Sequence, residues 1–174
     1  MLKSDNPTAI QSQKWLIQAL LNLMSTTDYN EITVSEICRA AGLDRRTFYR
    51  NFNSKNDVLE QYVAVLGNEY LANCRTKGQP DRFSATRAFF EFWQTHMNFV
   101  KTVVTCGLSD FVFHRFESFI YENRALLSGV QDGTAQNKYA LAYRIGGFWH
   151  VMLAWVADGA ALPPEELARA VASL

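Results

Sequence analysis

Two helix-start signals, Thr33 and Asp44, stand on either side of Ala41-Gly42, and this arrangement narrows the possible folds more than anything else in the chain. Thr33-Val34-Ser35-Glu36 reads as a capping box, in which hydroxyl and carboxylate each satisfy a backbone N–H at a helix start. A short helix to Ala41 follows, and Gly42 supplies the left-handed backbone of a sharp turn. Asp44 caps a second short helix running to Arg50, and Ser54-Lys55-Asn56-Asp57 has the look of a third cap. Ile37, Cys38, Ala41, Leu43, Phe48 and Phe52 fall where two short helices crossing steeply would bury them.

The rest of the chain continues in the same period. No stretch alternates like a strand, so the fold class is all-α, with about nine helices. The first helix spans about residues 8–25, and the helix after Ser54 runs to about Lys77. Gly78-Gln79-Pro80 is the strongest break. Further helices are expected at about 82–100, 110–127, 134–158 and 164–173. Residues 1–54 then form a three-helix reading domain and 55–174 a helical domain, with helix 55–77 connecting them.

Charge does not help globally, because Lys and Arg equal Asp and Glu at 17 each. Locally it does. Between Thr33 and Lys55 there are five bases, Arg39, Arg45, Arg46, Arg50 and Lys55, against Glu36 and Asp44. A charged helix face is ordinarily just solvated. The second short helix, however, offers Arg45, Arg46, Thr47, Tyr49, Arg50 and Asn51 outward, almost free of acid. Arginine can pair bidentately with guanine and asparagine with adenine in the major groove, while Thr, Tyr and Lys donate to phosphates. Lys55, in the first turn of the next helix, would meet a phosphate with both its charge and the helix end. A helix-turn-helix that reads double-stranded DNA is the implied chemistry.

From Ile32 to Leu59 the order of residues resembles the DNA-binding signature of the TetR family of transcriptional regulators, T-x-x-x-I-x-x-x-A-G-[VL]-x-x-x-[TS]-[FL]-Y-x-x-F-x-[SN]-K. The likeness covers about residues 8–70, and beyond that only helical layout and length agree. Asn51 departs from it, standing where many relatives carry His or Tyr. The resemblance implies phosphate contacts at Thr33, Thr47, Tyr49 and Lys55, and base reading at or beside Arg45, Arg46 and Arg50. It further implies a homodimer on a near-palindromic operator, acting as a repressor and released by a small-molecule effector.

The C-terminal half is aromatic, and two readings of it stand side by side. Phe89, Phe90, Phe92, Trp93 and Phe99 nearly surround one helix, and Phe111, Phe113, Phe116 and Phe119 the next. Such helices are buried on several sides, which describes a plain core. Polar groups among the rings point instead to a pocket for an apolar or aromatic effector, lined by Phe89, Trp93, His96, Phe113, Phe116 and Tyr143. A regulator without a pocket, answering to a protein partner, is the alternative. On the helix near 134–158, a flat face with Tyr143, Gly147, His150 and Ala154 suits close approach by a second copy, joined by Leu167 and Val171.

Enzyme chemistry finds little purchase. There is no phosphate-cradling glycine loop, H-E-x-x-H or G-x-S-x-G, and Cys38, Cys74 and Cys106 show no metal-ligand spacing. No cofactor or metal is therefore expected. The N-terminus has no signal-peptide pattern and no apolar run is long enough to cross a membrane, which implies a cytoplasmic protein.

Overall fold

The computed structural model describes residues 6–76, 81–123 and 135–172. Among these residues all regular structure is helical: α1 (Pro7–Met24), α2 (Val34–Ala41), α3 (Arg45–Asn51), α4 (Lys55–Thr76), α5 (Arg82–Thr95), α6 (Met97–Thr105), α7 (Ser109–Glu122), α8 (Ala135–Ala157) and α9 (Pro164–Ala172). The sequence breaks at Gly78–Pro80 and around Ser128–Gly133 lie outside the described residues.

The three N-terminal helices start where their caps dictate. Asn6 accepts from the Thr8 N–H and a proline opens α1. Thr33 and Glu36 close the capping box of α2, which ends at Gly42 with φ +66°. That positive φ is strained for any residue with a Cβ, so glycine permits the reversal into α3. Asp44 accepts from the Thr47 N–H at 2.6 Å to start α3. The third cap also forms: Ser54 Oγ accepts from the Asp57 N–H at 3.2 Å and donates to the Asp57 carboxylate at 2.6 Å.

α1 packs on α2, α3 and α4, and α4 also packs on α7, so the long fourth helix belongs to both halves. Gly67 is the tightest point between α4 and α7. A Cβ there would stand 2.6 Å from the Phe119 ring, so only glycine lets that ring lie on the α4 backbone. Glu60 of α4 also pairs with Arg115 of α7.

Two helix ends differ from the sequence expectation. The span 82–100 is not one helix but two, divided at His96, whose backbone leaves the helical region (φ −107°, ψ 19°). Phe89, Phe90 and Trp93 before the break and Phe99, Val100 and Val103 after it are all buried in the one core. α7 stops at Glu122 rather than near 127, capped at Asn123, whose side chain donates to the Phe119 carbonyl at 2.9 Å.

Candidate nucleic-acid interface

α3 sits on the molecule through two rings. Phe48 is 0% exposed and Phe52 4%, their centroids 6.0 Å apart, in one core with Leu16, Leu20, Ile37, Cys38, Val58 and Leu59. Burying such a ring is worth about 1.5–3 kcal/mol, so α3 is seated by hydrophobic burial as well as by its cap. Desolvation pushes the Cys38 thiol up and keeps it protonated.

The opposite face of α3 is open. Arg45, Arg46, Tyr49 and Arg50 are exposed and Thr47 is half-buried. The Arg45 guanidinium lies 5.9 Å from the centre of the Tyr49 ring, a loose cation–π contact that holds the two side chains side by side. The acid nearest this face, Asp44, is committed: the Thr47 N–H, above all, holds its carboxyl below the usual range. Thr33 is exposed at the start of α2, with its hydroxyl given to the Glu36 carboxylate at 2.8 Å.

Two expectations for this face require correction. Asn51 does not point outward. It is 8% exposed, accepts from the Gln13 side chain at 3.3 Å and donates to the Thr47 carbonyl at 2.8 Å. It closes the last turn of α3 on the side facing α1, a side the two Phe rings already fix. Lys55 is likewise engaged: its ammonium donates to the carbonyls of Tyr29, Asn30 and Ile32 at 2.5, 3.2 and 2.9 Å, and lies 4.6 Å from the Tyr29 ring centre. It braces the turn between α1 and α2, whose carbonyls need donors, instead of standing free for a phosphate. Tyr29, buried there, has its hydroxyl pKa pushed up to about 12 and donates to Asn56 at 2.7 Å.

Sequence reasoning missed Gln13. It is 3% exposed, and a signal was present: a polar side chain in register with Leu16 and Leu20 on the apolar face of α1.

In the C-terminal half the expected pocket residues are brought together only in part. Trp93 lies 6.2 Å from Phe89 and 5.6 Å from Phe116, ring centre to ring centre, and His96 meets Phe92 at a tilt, 4.6 Å between centres, with Glu69 of α4 3.4 Å from its Nε2. Phe113 lies apart, against Trp149 at 5.4 Å. Tyr143 is 68% exposed and cannot line an interior site, because its position on α8 faces away from the core side of Leu141, Ile145 and Trp149. Of the expected dimer residues, Gly147, His150 and Ala154 are exposed. Leu167 is not: it is buried within its own chain, where α9 packs on α5, and Val171 packs on the same core.

An exposed, acid-poor basic helix wedged by two buried rings defines the class: a helix-turn-helix domain carried on a helical body. Residues 16–62 match the model of the bacterial regulatory proteins of the tetR family, a family of transcriptional regulators. A segment of 58 residues is 33% identical to the HTH-type transcriptional regulator AlkX of Mycobacterium tuberculosis, covering 33% of this chain and 28% of that protein. Over 163 residues the chain is 23% identical to the uncharacterized HTH-type transcriptional regulator YxbF of Bacillus subtilis, covering 88% of this chain. It spans 28% of the length of the first relative and 42% of the second.

Solved structures agree on the fold. The fatty acid degradation regulator FadR from Bacillus halodurans superposes with a TM-score of 0.62 at 16% identity, over 98% of this chain and 95% of that one. A tetR-family transcriptional regulator from Streptomyces coelicolor gives 0.53 at 20% identity, over 92% and 78%. Among the described residues no helix is long and apolar enough to cross a membrane.

Proposed function

We propose that the protein is a homodimeric, sequence-specific DNA-binding transcriptional regulator, a repressor released by a small apolar or aromatic effector. The observation that carries the DNA reading is the outward row Arg45, Arg46, Tyr49 and Arg50 on a helix locked from behind by Phe48 and Phe52. Exposed guanidiniums suit base edges, and the hydroxyls of Thr33, Thr47 and Tyr49 suit phosphates that would fix register. Selection of bound duplexes from random DNA tests this. The expected product is a near-palindromic site whose affinity falls steeply with salt as counterions are released; binding indifferent to sequence would overturn it.

Dimerisation through α8 is supported by a conformational argument. Gly146 and Gly147 are adjacent in mid-helix, where each glycine costs roughly 0.5–1 kcal/mol relative to alanine. Nothing in this chain comes within 4 Å of a Cβ placed on either, so internal packing does not explain them. Tyr139 and Tyr143 are the most exposed large apolar side chains described, and Tyr143 shares the face of Gly147, His150 and Ala154. A second copy lying close along that face accounts for the glycines and covers the rings. Sedimentation is expected to show a dimer at micromolar concentration and a monomer for Gly147→Arg.

Effector binding is supported by Trp93. Its indole N–H is buried with no hydrogen-bond partner in the midst of Phe89, Phe92 and Phe116, where a ligand oxygen would satisfy it. Thermal-shift screening of apolar and aromatic acids should yield stabilisers whose effect falls in Trp93→Phe. Repression is the outcome the family resemblance implies, and transcription measurements with the operator test it: activation, the role named for one solved neighbour of the same fold, the dihydroxyacetone kinase operon activator DhaS, would overturn it.

A further inference from the structure

We propose that Gln13 and Asn51 form a positioning pair that sets the roll of α3 about its own axis, and hence the aim of Arg45, Arg46 and Thr47; this rests on the DNA-binding reading above. The two side chains are buried between α1 and α3, and the Gln13 amide donates to Asn51 Oδ1 at 3.3 Å. Asn51 in turn donates to the Thr47 carbonyl at 2.8 Å, and the Thr47 N–H donates to Asp44 at 2.6 Å. A continuous row of hydrogen bonds therefore runs from the cap of α3 along its length and across to α1.

The orientation of the amides is not arbitrary. Asn51 must turn its nitrogen to the Thr47 carbonyl, which leaves only its oxygen facing α1, and only the nitrogen of Gln13 can meet that oxygen. The remaining Gln13 oxygen is buried without a donor. An unsatisfied buried acceptor is destabilising, whereas two apolar side chains of similar shape could fill the same space at little or no cost. The pair is thus a poor device for stability and a good one for direction. Phe48 and Phe52 hold α3 down by non-directional burial, which tolerates some rotation, while a hydrogen bond to the last residue of the helix does not.

The test compares wild type with Gln13→Met and with Gln13→Met/Asn51→Leu, on the selected operator and on a scrambled duplex of equal length. Both variants are expected to melt within a few degrees of wild type. The ratio of operator to scrambled affinity should fall by about tenfold, the scale of one misplaced base contact, while affinity for the scrambled duplex and the salt slope stay unchanged. Unchanged discrimination in the folded variants overturns the proposal and leaves the DNA reading standing. Should the double variant fail to fold, the near-isosteric Gln13→Met alone decides by the same ratio. If wild type itself does not distinguish the duplexes, the DNA reading falls and this inference with it.

Discussion

The two halves of the molecule are held together by different means. In the reading head, α1, α2 and α3 each begin with a side chain bonded to a helix N–H, and three polar side chains, Ser12, Gln13 and Asn51, are buried. In the body α5 starts on the Asp81 carboxylate, which accepts from the Ser84 N–H, but α6 and α7 begin at His96 and Leu108 with no side-chain cap bond. There the connections are rings: Phe89 alone meets Tyr70, Phe90, Trp93, Phe116 and Phe148 within 6.4 Å, centre to centre. Hydrogen bonds fix direction, and burial fixes proximity. A surface that must match the groove of DNA requires the first. A core that tolerates repacking is served by the second.

The sharpest way to break this contrast is to remove a ring from the body. Phe90 is fully buried between Phe89, Phe148 and Trp155, and Phe90→Ala should cost about 3–5 kcal/mol in urea unfolding. A loss below 1 kcal/mol would mean that the aromatic network is not what holds the body. The corresponding change in the head leaves stability alone: Arg46→Glu, on the exposed face, is expected to keep the melting temperature and weaken operator binding by about 100-fold or more. Near-wild-type retardation of the operator would remove Arg46 from the reading surface.

A smaller effect is expected where the halves meet. Gly67→Ala forces a Cβ against the Phe119 ring and should cost about 1–3 kcal/mol, lowering the melting temperature. A neutral result would show that α4 and α7 part easily. The smallest effect separates capped from uncapped helices by pH. The carboxyls of Glu36 and Asp44 are held below the ordinary range, chiefly by backbone N–H groups of Thr33 and Thr47. Because folding lowers these pKa values, their stabilisation is present above the unfolded value near 4 and is lost as pH falls through the folded values. Protection of the amides of α2 and α3 against exchange should therefore fall on acidification below about pH 4 before that of α6 and α7. Uniform loss of protection would deny the caps a special role.

The legible part of the chain followed the same division. The capping box, the glycine turn at Gly42, the wedge of Phe48 and Phe52 and the outward arginines could all be read in advance. Asn51 and Lys55 could not, because both have the residue type of a DNA contact and both are taken by partners in the fold. The body gave helices but not their ends: the turn at His96 carries no glycine or proline to announce it. Tyr143 lies on the flat outer face of α8 and not in a pocket, and Leu167 lies inside its own chain, since an all-apolar helix does not say which face its neighbours cover.

What the chain determined by itself is whatever acts within about four residues: a cap reaches N3, and a left-handed glycine answers to its own backbone. The donors and acceptors of such contacts are specified by neighbouring residues, although helices as short as α2 and α3 are held by packing. The tertiary structure decided what joins distant positions. Gln13 meets Asn51 across 38 residues, Lys55 meets Tyr29 across 26, and Arg115 meets Glu60 across 55. Local pattern cannot choose among such partners, because any donor within reach of an acceptor would serve, and only the packed core determines which come within reach.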